Sequence, residues 1–202
     1  MTDLEKALTD IRALRGLAAR GTEFRGFGAA TFAATGVLAV AAAIVQGWWL
    51  EAPVRLPVQY LVLWGGVAVL SILMIGAEVL TRSRRHHGGL ADEMVQGAAE
   101  QLLPALVAGA LITFVIARFS PQALWMLPGL WQIVLGLGAF ATRRSLPRPF
   151  LVVGLWYLAT GRGCLAFAKG AYALSPWAMG VPFGVGQLLA AALILRTGKS
   201  HG

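Results

Sequence analysis

FGAATFAATGVLAVAAAIVQGWWL, residues 27–50, runs through the chain without a single charged side chain. About 20 apolar residues suffice for a helix to cross the ~30 Å hydrocarbon core of a bilayer. A barrel strand would alternate apolar and polar residues, and this stretch does not. It reads as a membrane-spanning helix, and the rest of the chain then has to be read in the same solvent.

Five further segments repeat the pattern, at about 58–80, 102–119, 123–142, 150–169 and 177–195. The expected fold class is therefore an all-α integral membrane protein of six transmembrane helices. Short outer links (EAPVRLP, SPQ and GAYALSP) suggest three antiparallel hairpins in one bundle. The division is 1–26 as a cytoplasmic amphipathic helix and linker, 27–195 as the bundle, and 196–202 as a cytoplasmic tail. Composition agrees: 57% of the 202 residues are hydrophobic and 13% charged, about half the charged share of a soluble domain. The net charge of +8 does not require nucleic acid, because cytoplasmic loops of membrane proteins gather Lys and Arg.

Those cations set the orientation. Lys6, Arg12, Arg15, Arg20, Arg25, Arg82, Arg84, Arg85, Arg143, Arg144, Arg148, Arg196 and Lys199 fall on one side of the spans. Only Arg55 and Arg118, with Lys169 at the border, fall on the other. Both termini are expected in the cytoplasm. Trp48, Trp49, Trp125 and Trp177 lie at the opposite ends of their spans, as an interfacial aromatic belt would. The first twenty residues mix both charge signs and lack the apolar core of a cleavable signal, so the first span is expected to serve as the insertion signal.

Residues 2–18 read as an amphipathic helix. Thr2 and Glu5 have capping-box spacing, and Leu4, Leu8, Ile11 and Leu14 share a face. Such a helix could pack on the bundle, on the membrane, on a cytoplasmic regulatory protein or on a second copy. Arg82, Arg84 and Arg85 could bind anionic headgroups or act only as a topology determinant. His86 and His87 are adjacent on a loop, a poor geometry for a metal ligand pair, so no metal or cofactor is expected. No catalytic signature is present, and the chain is not expected to be an enzyme.

Within the spans the polar residues singled out are Glu78, Thr113, Gln132, Thr160, Arg162 and Gln187. Intramembrane polar residues usually face the bundle interior and mark sites or pathways; the plainer alternative for the glutamines is an interhelical hydrogen bond. Glu78 lies close enough to a span end to reach the cytoplasmic interface. Arg162 lies twelve residues beyond Phe150, about 18 Å along a helix and just past the bilayer midplane. It could line a ligand cavity with Gln132, Thr160 and Gln187, snorkel to the outer headgroups, or form a buried pair. Gly161 and Gly163 beside it would let a partner approach. Gly180, Pro182 and Gly184 suit close helix packing, or a hinge or helix break that opens backbone groups to a ligand. The outer side, with several cations and only Glu51 opposing them, favours a small polar or anionic guest.

The segments WMLPGLWQIVLGLGAF (125–140) and SPWAMGVPFGVGQLLAAALI (175–194) resemble those of a family of small six-span bacterial membrane proteins without an assigned activity. That resemblance implies a bacterial inner membrane and contributes no site residue. Two functions are carried forward: a channel or carrier for a small polar or anionic molecule, and a non-transporting sensor or anchor for a cytoplasmic regulator. A membrane-embedded enzyme is a third and weaker alternative, since Cys164 and Glu78 stand isolated from any catalytic partner.

Overall fold

A computed structural model describes residues 28–50, 57–85, 89–142 and 150–199. Among them are six α-helices: α1 (Ala29–Trp49), α2 (Pro57–Arg85), α3 (Gly89–Phe119), α4 (Leu127–Ala141), α5 (Leu151–Phe167) and α6 (Pro176–Lys199). Two 3₁₀ turns, Pro121–Met126 and Gly170–Tyr172, lead into α4 and join α5 to α6. No strand occurs among the described residues. Five stretches are long and apolar enough to cross a membrane: Ala29–Trp49, Pro57–Glu78, Glu100–Phe119, Pro121–Ala141 and Pro176–Arg196. The sixth helix, α5, has 17 residues, about 25 Å of rise, against the ~30 Å of a typical core. The described residues are all-helical apart from short links, and their apolar helices suit a polytopic membrane protein.

The expected N-terminal helix at 2–18 and the His86–His87 pair lie outside the described residues. Arg82, Arg84 and Arg85 fall on the last turn of α2, with their side chains outside the described set.

Local chemistry explains where helices start and stop. The first amide ahead of α1, Gly28, donates to Glu78 Oε2 at 3.1 Å, so a carboxylate from α2 meets the positive end of the α1 dipole. At the other end of the bundle, α5 closes with the Ala168 N–H on Cys164 O at 2.9 Å. Gly170 then takes φ +59, a left-handed conformation that glycine adopts without Cβ strain. The helix ends at Phe167, two residues earlier than a span ending at Lys169 would require. Trp48, Trp49 and Trp177 are exposed at this end, called below the tryptophan end.

Consecutive helices run antiparallel, but the closest packing is not within the expected hairpins. The most extensive contacts join α1 to α6 and α4 to α5. Glycine placement accounts for both. A Cβ on Gly184 would lie 2.7 Å from Val40 Cγ2, and one on Gly180 would overlap the Cβ of Ala43. A Cβ on Gly129 would lie 2.8 Å from Gly161 O, and one on Gly161 would lie 2.8 Å from Gly129 O. With no hydrophobic drive between helices in lipid, such backbone-to-backbone approach is what holds them. By contrast, α3 leans mainly on α4, and none of its residues from Glu100 to Phe119 is buried.

Candidate functional site

The aromatic and polar side chains converge one to two turns below the tryptophan end. Gln46, near the end of α1, is buried and donates from Nε2 to Leu174 O at 2.7 Å. Its Oε1 accepts from the indole of Trp64 on α2 at 2.7 Å. Leu174 has φ 57, unusual for a residue with a Cβ, and it is held there by burial and by this bond. One turn along α2 from Trp64, Tyr60 stacks on Trp131 of α4 with centroids 6.3 Å apart and planes 6° from parallel. The Trp131 indole donates to Thr113 Oγ1 at 2.8 Å, and that hydroxyl donates to Gly109 O at 2.7 Å. An aromatic layer thus crosses α1, α2, α4 and α3.

Gln132 carries the layer to α5 and α6. A proline in a helix has no N–H to give the carbonyl four residues earlier, so Pro182 leaves Ala178 O without its helical donor. In lipid such a group must be satisfied by something else. Gln132 Nε2 donates to Ala178 O at 2.9 Å and to Cys164 Sγ at 3.4 Å. The Cys164 thiol donates to the same carbonyl at 3.4 Å. The helix α6 runs continuously through Pro182, and the backbone group the proline opens is filled by side chains of α4 and α5.

Two polar atoms in this layer stay without a hydrogen-bond partner among the described residues: Tyr60 Oη and Gln132 Oε1. Tyr60 is 1% exposed and Gln132 0%. The Gln132 amide already lies on Cys164, and the Tyr60 ring stacks on Trp131, the residue before Gln132. The Ala178 acceptor fixes the amide orientation, since only nitrogen can donate to a carbonyl. The free end of Gln132 is therefore its oxygen.

A second polar level lies further along α6. Gln187 is nine residues past Ala178, about 13.5 Å of helix rise. Its Nε2 donates to the Tyr157 hydroxyl at 3.4 Å, while its Oε1 is buried without a partner among the described residues. Gly186 admits the Tyr157 ring, whose Cζ would lie 2.5 Å from a Cβ there. Between the two levels, the Trp156 indole donates to Pro182 O at 2.9 Å.

The residues singled out in the sequence are not all brought together. Gln132 and Gln187 are interior but on different levels. Thr160 donates to Trp156 O on its own helix at 2.9 Å. Arg162 is exposed on the surface of α5, five residues from the helix end at Phe167. That is about 7.5 Å, within a long side chain's reach of the end. Its neighbours face opposite ways: Gly161 is packed on α4, whereas Gly163 has nothing within 4 Å of a would-be Cβ. Lys169 lies outside the helix with its ammonium 5.2 Å from the Trp125 ring centroid, a cation–π contact. Metal-ligating groups of three or more His, Cys, Asp or Glu are absent among the described residues.

Several members of the layer escaped the sequence reading. Gln46 was in plain view as the one amide in the opening stretch, three residues before Trp49. Tyr60, Trp64 and Trp131 read as ordinary apolar span residues, and only three-dimensional packing groups them. The Ala178 carbonyl was legible in principle by counting four back from Pro182. No protein-family model, curated protein or solved structure matches this chain.

Proposed function

We propose that this chain is a six-span membrane protein, with both termini in the cytoplasm of a bacterial cell, that binds a small polar molecule within the bundle and passes it across. The short α5 completes the sixth crossing together with the residues that follow it. The observation that carries the reading is a pair of acceptors without a partner among the described residues: Gln132 Oε1 at the level of Ala178, and Gln187 Oε1 on the residue about 13.5 Å of helix rise beyond it. A protein in lipid does not cheaply leave buried polar atoms unpaired, and two such atoms in succession suit a guest that moves between them. Arg162, on the outer surface, belongs in this reading to the interface and not to the path.

Purified protein in proteoliposomes tests the passage. Protein-dependent flux of urea, formamide or formate is expected in stopped-flow light scattering, reduced in Gln187→Leu. Flux equal to that of empty vesicles for all three solutes would remove the channel-or-carrier reading. Topology is checked separately in a Cys164→Ser background. A cysteine placed at Arg55 should label from outside intact cells and one at Arg144 should not; the reverse pattern overturns the orientation.

A further inference from the structure

The two atoms of the layer near the tryptophan end that have no partner among the described residues are chemically selective. Gln132 has spent both amide hydrogens, on Ala178 O and Cys164 Sγ, so what it offers is an acceptor. A carbonyl-type oxygen repels an anion and pairs only with a donor. Tyr60 Oη, buried and unpartnered, both donates and accepts. The surrounding charge points the other way for cations. The described residues at the tryptophan end include Arg118, Arg162 and Lys169, and no described residue there is acidic. Positive potential disfavours a cationic guest.

We propose that Tyr60 and Gln132 form a binding site for a small uncharged hydrogen-bond donor of the amide type, lying between α2, α4, α5 and α6 beside Cys164. The guest's N–H donates to Gln132 Oε1 and its oxygen accepts from Tyr60 Oη. This deepens the reading of a bundle that takes a small polar molecule, and it replaces the anionic alternative that the exposed cations suggested. The rings of Tyr60 and Trp131, 6° from parallel, supply a flat apolar surface that suits a planar guest. Arg162, the residue an anion would need, faces outward from the other side of α5.

Cys164 is the sole cysteine and touches the site through Gln132, which makes it a built-in reporter. Alkylation of the purified protein by N-ethylmaleimide is followed by intact mass, with formamide, N,N-dimethylformamide or formate added. At a formamide concentration about twice its Kd the rate should fall about threefold, the factor being one plus the ratio of concentration to Kd. Dimethylformamide, which has no N–H, and formate, which is anionic, should leave the rate unchanged. In Tyr60→Phe, which keeps the stacked ring and removes only the hydroxyl, formamide protection should be lost. Saturation-transfer NMR of formamide against wild type and Tyr60→Phe gives the same comparison without the thiol. Formate protecting as well as formamide, equal effects in Tyr60→Phe, or no solute effect by either method each overturns the proposal. Protection by formamide in a protein that shows no flux would retain this site and discard the passage; flux of formate alone, with no formamide protection, would do the opposite.

Discussion

Replacing Pro182 by alanine restores the N–H that Ala178 O lacks, and this should weaken the grip of Gln132 on α6. In the wild-type protein Gln132→Leu removes the 2.9 Å bond to Ala178 O and leaves that carbonyl with only the long thiol contact at 3.4 Å. Interhelical hydrogen bonds in membrane proteins average about 0.6 kcal/mol and reach about 1.7. A carbonyl left unsatisfied adds a desolvation cost, on the order of 1–3 kcal/mol. We expect Gln132→Leu to destabilise the wild type by about 2 kcal/mol by this reasoning. In the Pro182→Ala background the carbonyl is served by its own helix, so the same substitution should cost about 1 kcal/mol less. The carbonyl has two lone pairs and accepts from both donors at once, which is why the coupling is partial. Reversible unfolding in mixed micelles with sodium dodecyl sulfate, followed by tryptophan fluorescence, gives the four free energies of the cycle. Additivity to within about 0.3 kcal/mol, the behaviour of independent sites, would refute the claim that Pro182 creates the acceptor that Gln132 satisfies.

Three further outcomes follow from the same packing. Gly161→Ala places a Cβ 2.8 Å from Gly129 O and should destabilise the α4–α5 pair by about 1–3 kcal/mol, whereas Gly163→Ala, in open space, should be neutral or stabilise by up to about 1 kcal/mol; equal effects in the micelle unfolding assay would contradict the packing described. Gln46→Leu should expose the link at 168–175 to faster amide hydrogen exchange, because it strands Trp64 Nε1 and Leu174 O; unchanged exchange at Ala173 and Leu174 would show that burial alone holds them. Arg162→Leu should leave formamide protection of Cys164 and the unfolding midpoint near wild type, and loss of protection would return Arg162 to the site.

The helices were legible because twenty apolar residues in a row leave few alternatives: each expected span has its helix, although α3 starts at Gly89, thirteen residues ahead of its expected span, and α2 runs on to Arg85. What the spans do to one another was harder to read. Outer links of a few residues favour neighbours in sequence, yet the tightest packing follows the glycines: Gly36, Gly180 and Gly184 draw α1 and α6 together, and Gly129 and Gly161 draw α4 and α5 together. Arg162 is conspicuous as a charge in an apolar run, but helical phase sets which way it points. Gly161, one residue away, faces α4 and is buried, and a step of one residue turns the helix by about 100°. Tyr60 and Trp131 carried no such flag. Their significance comes from stacking across two helices 71 positions apart in sequence, which composition and spacing do not encode.

The partnership of α1 with α6 has a consequence for the order in which the protein can be built. Gln46 waits for Leu174, 128 residues later, and the small-residue face of α1 waits for Gly180 and Gly184. A chain emerging from the ribosome at 5–20 residues per second therefore keeps its first helix without its main neighbour for on the order of ten seconds. During that interval α1 has only α2 to lean on, and its glycine-lined face meets lipid or whatever insertion machinery accompanies it. Closure is then a late, single event that brings the two sequence extremes of the bundle together. Loss of α6 would consequently leave every earlier helix made and inserted, yet with the first of them still unclaimed.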